Sequence, residues 1–183
     1  MNMKKGIIII LMLTLSLVSS GQKYLTRTGK ITFFSGTPLE NIEARNDEVA
    51  AIISTAGDVV FQVPIKSFKF DRELMQEHFN EEYMESDKYP KSDFKGKIAD
   101  LNGVNFSKDG TYNVTVSGKL TMHGVTRDVS VPGTIIVSGG EVTANSKFKV
   151  HPEDYNIKIP SIVAGKIAKE IEITVNCVLN VVK

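Results

Sequence analysis

Tryptophan is absent from this sequence, and cysteine occurs once, at Cys177. A single thiol excludes an intrachain disulfide framework and a cysteine-rich zinc site. An excess of charge of one sign is also missing: 22 Lys and Arg stand against 21 Asp and Glu, for a net charge of +1. No strongly basic face for nucleic acid follows from such a balance. There are only three histidines, His78, His123 and His151, and their spacings match no metal motif. No serine sits in a G-x-S-x-G elbow, and no glycine-rich loop runs into Lys-Ser or Lys-Thr. The carboxylates Glu77, Glu81, Glu82, Glu85 and Asp87 cluster where a solvated helix face belongs. No residue pattern supports an enzyme or a resident metal or cofactor.

Long apolar runs are scarce as well. The one that stands out, Gly6–Val18, spans thirteen residues, short of the ~18–20 needed to cross a bilayer. It follows Lys4 and Lys5 and leads into Ser19-Ser20-Gly21. This order of positive, apolar and small residues is that of a secretory signal. The expected division is a signal peptide over 1–21 and one domain over 22–183. No cysteine near the cut is available for a lipoprotein anchor. Removing Lys4 and Lys5 takes the net charge from +1 to −1. The mature chain is expected in the periplasm or secreted, with no transmembrane span. A domain of its size buries roughly 70% of its unfolded surface, enough for a core without staples.

What the chain does have is period-two alternation. Ile171, Ile173, Val175, Cys177, Leu179 and Val181 alternate with Glu170, Glu172, Thr174, Asn176, Val178 and Asn180, the pattern of a half-buried strand. Tyr112, Val114, Val116, Gly118, Leu120 and Met122 share another face. His123-Gly124 reads as a turn, after which Val125, Val129, Val131, Ile135 and Val137 continue the rhythm. Ser138-Gly139-Gly140 signals a hairpin into Val142–Val150. Phe94, Gly96 and Ile98 form one face upstream, and Val59, Phe61, Val63 and Ile65 another. Tyr24–Phe34, Ile42–Asn46 and Val49–Ser54 are weaker strand candidates. About eight or nine sequential strands imply an antiparallel meander, which must close as a barrel or fold as a sandwich.

One segment departs from this rhythm. In Asp71–Met84, Leu74, Met75, His78, Phe79 and Tyr83 recur at helical spacing, with Asp71 as the expected N-cap. Phe61, Phe68, Phe70, Phe79 and Phe94 gather in sequence around this short helix, beside Leu74, Met75 and Met84. Two readings of that set are open. It packs the helix onto the sheet as core, or it lines an unfilled apolar cavity of the kind a lipid tail requires.

The stretch from Phe68 to Ile98, FKFDRELMQEHFNEEYMESDKYPKSDFKGKI, resembles the central segment of the YceI-like family. The second hallmark, LTMHGVTRDVSVP at Leu120–Pro132, resembles that family's L-T-x-H-G-V-T hairpin. The resemblance implies an exported bacterial protein with a lipocalin-like, eight-stranded antiparallel β-barrel and one short inserted helix. It implies a polyisoprenoid lipid or an isoprenoid quinone in the barrel, and two copies pairing as a homodimer. On that reading Phe61, Phe68, Phe70, Leu74, Met75, Phe79, Phe94, Ile98, Val116, Leu120 and Met122 are the candidate ligand contacts. The chain departs from the family in its first strands, QKYLTRTGKITFFSGTPLENIEARN, which lack the usual aspartate and histidine. It departs again in PIKSFKFD, where a Ser/Thr-rich approach to the helix is usual. Both departures fall where the barrel mouth is expected.

Two functional readings follow. The first is a lipid-binding protein that sequesters or carries an apolar, isoprenoid molecule. The second is a filled barrel acting as an envelope interaction or stress-associated structural protein.

Overall fold

The computed structural model describes residues 21–182. The expected signal segment, apart from Gly21, lies outside the described residues. Nine strands form one antiparallel sheet: β1 (Lys23–Gly36), β2 (Asn41–Ser54), β3 (Asp58–Pro64), β4 (Lys69–Phe70), β5 (Lys91–Ile98), β6 (Gly110–Met122), β7 (Val125–Ser138), β8 (Glu141–Val150) and β9 (Ile171–Val181). Eight long strands run in the order β1-β9-β8-β7-β6-β5-β3-β2, and β2 pairs back onto β1 to close the barrel. The two-residue β4 adds to β2 through Ala44–Phe70 and Arg45–Lys69. The fold is all-β, a closed eight-stranded barrel with one short helix.

Turn chemistry sets the meander. His123 and Gly124 have φ of 50° and 74°, and Gly139 and Gly140 have 57° and 85°. Two consecutive positive φ values give the turn whose twist matches a hairpin. The expected weak strands Ile42–Asn46 and Val49–Ser54 are one strand, β2. The Asn46 amide bridges the join: its Oδ1 accepts from Glu48 N at 2.9 Å and its Nδ2 donates to Pro64 O at 2.7 Å. β5 and β6 approach closely at Gly96 and Gly118, which pair directly. A Cβ on Gly118 would lie 2.4 Å from both Gly96 Cα and Lys95 O, so only glycine fits there.

One end of the barrel is plugged. Ile53, Val59, Ile98, Val137, Val142, Cys177 and Leu179 are all buried there. Tyr24 stacks on Phe106 at 5.8 Å across the same end. At the other end the ladders come apart. The β7–β8 pairing stops at Gly133–Ser146. Pro132 has no N–H to continue it, and its carbonyl accepts instead from Ser146 Oγ at 2.6 Å. The β2–β3 pairing covers only Ala50–Ile53 against Val59–Gln62. The helix and the β8–β9 connection fill the widened end.

The helix corrects its expected limits. α1 spans Glu73–His78 and continues as a π-helical turn over Phe79–Tyr83. The N-cap is Arg72, not Asp71, and makes no side-chain cap. The cause is β4, which holds the chain extended through Phe70. Gln76 Oε1 then accepts from Phe70 N at 3.3 Å and Arg72 pairs with Glu40.

Candidate functional site

Inside the barrel, between the plug and the splayed end, lies a cavity of about 540 Å³. That falls within the ~300–1,000 Å³ of small-molecule sites. The wall comes from inward residues of the strands. Phe61 and Phe94 are cross-strand partners on β3 and β5, and Phe94 in turn faces Leu120 on β6. Val114, Val116 and Met122 continue the wall on β6, and Ile135 on β7, Ala144 on β8 and Val175 on β9 carry it round the barrel. The cap is a phenylalanine cluster. Phe79 lies 5.4 Å from Phe33, 5.5 Å from Phe68 and 5.1 Å from Phe70, ring centre to ring centre. Phe33 also touches Phe68 and Phe70. The helix hangs from the barrel through these rings.

The lining is mostly apolar. Glu40, Arg72, His78, Asp93, Thr134, Asn145, Ser146 and Lys166 are among the polar residues that border the cavity. Ser35 Oγ accepts from Ala168 N at 2.8 Å, which ties the β8–β9 connection to the end of β1. Ser92 also borders the cavity, and its Oγ is buried without a partner. Burial holds the Tyr83 hydroxyl above the usual phenol range. A site this apolar removes hydrocarbon from water and offers little to a polar solute.

The second hallmark hairpin does a different job. His123 is nearly buried, and its two ring nitrogens lie 2.7 Å from Glu85 Oε2 and 3.1 Å from Tyr155 O. Tyr89 packs on the ring edge-on at 4.6 Å. This imidazole joins the loop after the helix, the β6–β7 turn and the start of the β8–β9 connection. It is not among the residues that border the cavity, and its contacts join three structural segments. Cys177 is fully buried beside Gly29, and burial pushes its thiol up to about 11. Among the described residues, no three His, Cys, Asp or Glu side chains are placed to hold a metal ion. No helix among them is long and apolar enough to cross a membrane.

The sequence pattern of the YceI-like domain matches residues 16–179, most of the chain. The chain belongs to the YceI-like family. Among solved structures, a polyisoprenoid binding domain from Saccharophagus degradans, implicated in plant cell wall breakdown, superposes with a TM-score of 0.76 at 16% identity. That match covers 88% of this chain and 99% of the other. Burkholderia cenocepacia BcnA matches with a TM-score of 0.70 at 19% identity, over 82% and 95% of the two chains. A Campylobacter jejuni YCEI protein matches at 0.56 and 16% identity, over 75% and 83%. At these identities the structures establish a shared fold. No curated protein matches the chain by sequence.

Within this YceI-like barrel, ten of the eleven expected contacts border the cavity: Phe61, Phe68, Phe70, Leu74, Met75, Phe79, Phe94, Val116, Leu120 and Met122. Ile98 does not. It has the right strand face but lies too far along β5, 5% exposed in the plug. Leu74 sits at the rim and is 61% exposed, so this side chain overhangs the mouth while Met75 beside it is half-buried against the cavity. Sequence reasoning missed the far wall, Phe148, Ile171, Ile173 and Val175, and the cap residue Phe33. Their period-two spacing was a usable signal. Only topology places β1, β8 and β9 opposite β3, β5 and β6 around one cavity.

Proposed function

We propose that this protein is an exported carrier that holds an apolar lipid, a polyisoprenoid or an isoprenoid quinone, inside its barrel. The observation that carries this reading is the cavity: apolar along its length, plugged at one end and open at the other. The contacts would be the ten cavity residues above, joined by Phe33 and the far wall on β8 and β9. The Saccharophagus degradans relative, described as a polyisoprenoid binding domain, supports the choice of ligand class. The mechanism has no chemical step. Burial of hydrocarbon contributes ~0.8 kcal/mol per CH₂, so a five-carbon unit adds roughly 4 kcal/mol gross. Four or five units would approach the ~18–21 kcal/mol ceiling of non-covalent affinity, and ordering the chain offsets part of that gain. Ligand length is therefore set by the plug and not by area.

The test is displacement. A fluorescent polyprenyl analogue should bind the purified protein, and unlabelled polyprenol or ubiquinone should displace it. Failure of every isoprenoid to compete would overturn the ligand class. Export is tested separately. Protein from the native envelope should begin at Gly21 or Gln22 by N-terminal sequencing, and an intact Met1 would refute it. Size-exclusion chromatography of the same sample checks whether two copies pair.

A further inference from the structure

The mouth of the cavity is not dressed for water. The β8–β9 connection crosses it as a strap, and its turn at Ser161–Val163 lifts Ile162 into solvent, 90% exposed. This is the most exposed large apolar residue among those described. Beside it, the β1–β2 turn presents Leu39 at 72% exposure. Leu39 touches the strap: its Cδ1 lies 3.1 Å from where a Cβ on Gly165 would stand. Neither residue is waving on a loose loop. Thr37 Oγ1 accepts from Leu39 N and Glu40 N, and the strap's turn is closed by Val163 N to Pro160 O and Lys166 N to Val163 O. Two exposed branched side chains held in fixed turns form a small apolar patch at the mouth.

Charge says what the surface meets. From Asn156 to Lys169 the strap carries Lys158, Lys166 and Lys169 and no carboxylate. All three lysines are exposed, and among the described residues none forms an ion pair. The strap also borders the cavity, through Val163, Lys166 and Ile167. Apolar tips on a strap that also carries three unpaired cations, placed at the lip of a hydrocarbon cavity, suit the interface of an anionic bilayer. α1 presents Glu73 and Glu77 on its solvent side, and its N-cap Arg72 pairs with Glu40 next to Leu39. The strap, and not the helix, is the side that meets a negative surface.

We propose that the strap and Leu39 dock the open end of the barrel onto an anionic lipid bilayer, where the apolar ligand enters or leaves. This rests on the carrier reading, since a hydrocarbon chain does not cross water free and must pass between apolar phases. The absence of tryptophan supplies the test. Ile162→Trp places the sole tryptophan at the strap's tip, where excitation at the red edge avoids the five tyrosines. Its emission should shift to the blue on adding vesicles of equal parts phosphatidylglycerol and phosphatidylcholine. Brominated acyl chains should quench it. Val178→Trp, on an exposed site near the plugged end, should show neither effect. Lys158→Gln, Lys166→Gln and Lys169→Gln together should weaken docking by about tenfold or more. Unchanged emission of Ile162→Trp, or equal quenching at position 178, would overturn the proposal. Binding of the fluorescent polyprenyl analogue without vesicles is measured in parallel. Analogue binding without docking refutes the docking surface and leaves the carrier reading standing. Docking without analogue binding sustains the surface and refutes the carrier reading.

Discussion

Phe79 is the residue on which helix, barrel and cavity converge, so truncating it tests the packing most sharply. Phe79→Ala removes three ring contacts, to Phe33, Phe68 and Phe70. Aromatic pairs contribute ~0.5–1.5 kcal/mol each beyond burial, so the three together amount to about 1.5–4.5 kcal/mol. A fully buried Phe→Ala change costs ~3–5 kcal/mol. Phe79 is half-buried, which places the expected loss near 2 kcal/mol. For a domain of this size, that lowers the melting temperature by about 4–8 °C. The same change removes part of the cavity's cap, so retention of a fluorescent polyprenyl analogue should weaken by about tenfold, or ~1.4 kcal/mol. Phe79→Asp should do worse on both measures, because its carboxylate would be desolvated with no partner. Melting is followed by circular dichroism and retention by fluorescence, at a temperature where every variant is folded. Phe61→Ala, a wall change away from the cap, gives the comparison. A Phe79→Ala protein that melts within a degree of the parent and holds the analogue as tightly would refute the view that these rings hang the helix over a cavity.

Other outcomes follow from single residues. His123→Ala removes the ring that joins Glu85 to the Tyr155 carbonyl and should cost about 1–3 kcal/mol in denaturant titration. Analogue retention below its melting point should be unchanged; lost retention in a normally melting protein would place His123 in the site. Gly118→Ala would force backbone apart at Gly96 and Lys95 and should cost at least ~1–3 kcal/mol. Gly103→Ala, with nothing within 4 Å of the new Cβ, should melt like the parent. Cys177 should resist iodoacetamide at pH 8 until the protein is unfolded, because burial raises its thiol to about 11. The sign follows from that rise. The stability contributed by the neutral buried thiol is complete below the ordinary thiol pKa of ~8.5 and is lost as pH climbs through about 11. Cys177→Ala should flatten that part of the alkaline melting curve.

Much of the barrel is legible because each long strand has one wet face and one dry face. β6 and β9 read directly from alternation, and the two glycine-bearing turns announce their hairpins. β2 is harder, since Asn46 is a polar residue buried by its own hydrogen bonds, and a period-two reading breaks there. The helix start is misplaced by one residue because the β4–β2 pairing, a tertiary contact, overrides the local preference for Asp71. In the candidate site, the wall on β3, β5 and β6 is legible from strand faces. Depth is not. Ile98 and Phe94 share a face on one strand, yet one fills the plug and the other borders the cavity. The strap misleads: Ile159, Ile162, Val163 and Ile167 fall at helical spacing, yet the segment forms only a short turn at Ser161–Val163, and only the fold shows that Ile162 points outward.

Mass spectrometry of an organic extract of the protein purified from its native envelope tests the central claim most directly. The expected result is a co-purifying apolar lipid of isoprenoid mass spacing, in near one-to-one amount, that is depleted from the Phe79→Asp variant. Repeated extracts holding no such lipid, from protein that is folded and melts normally, would contradict it.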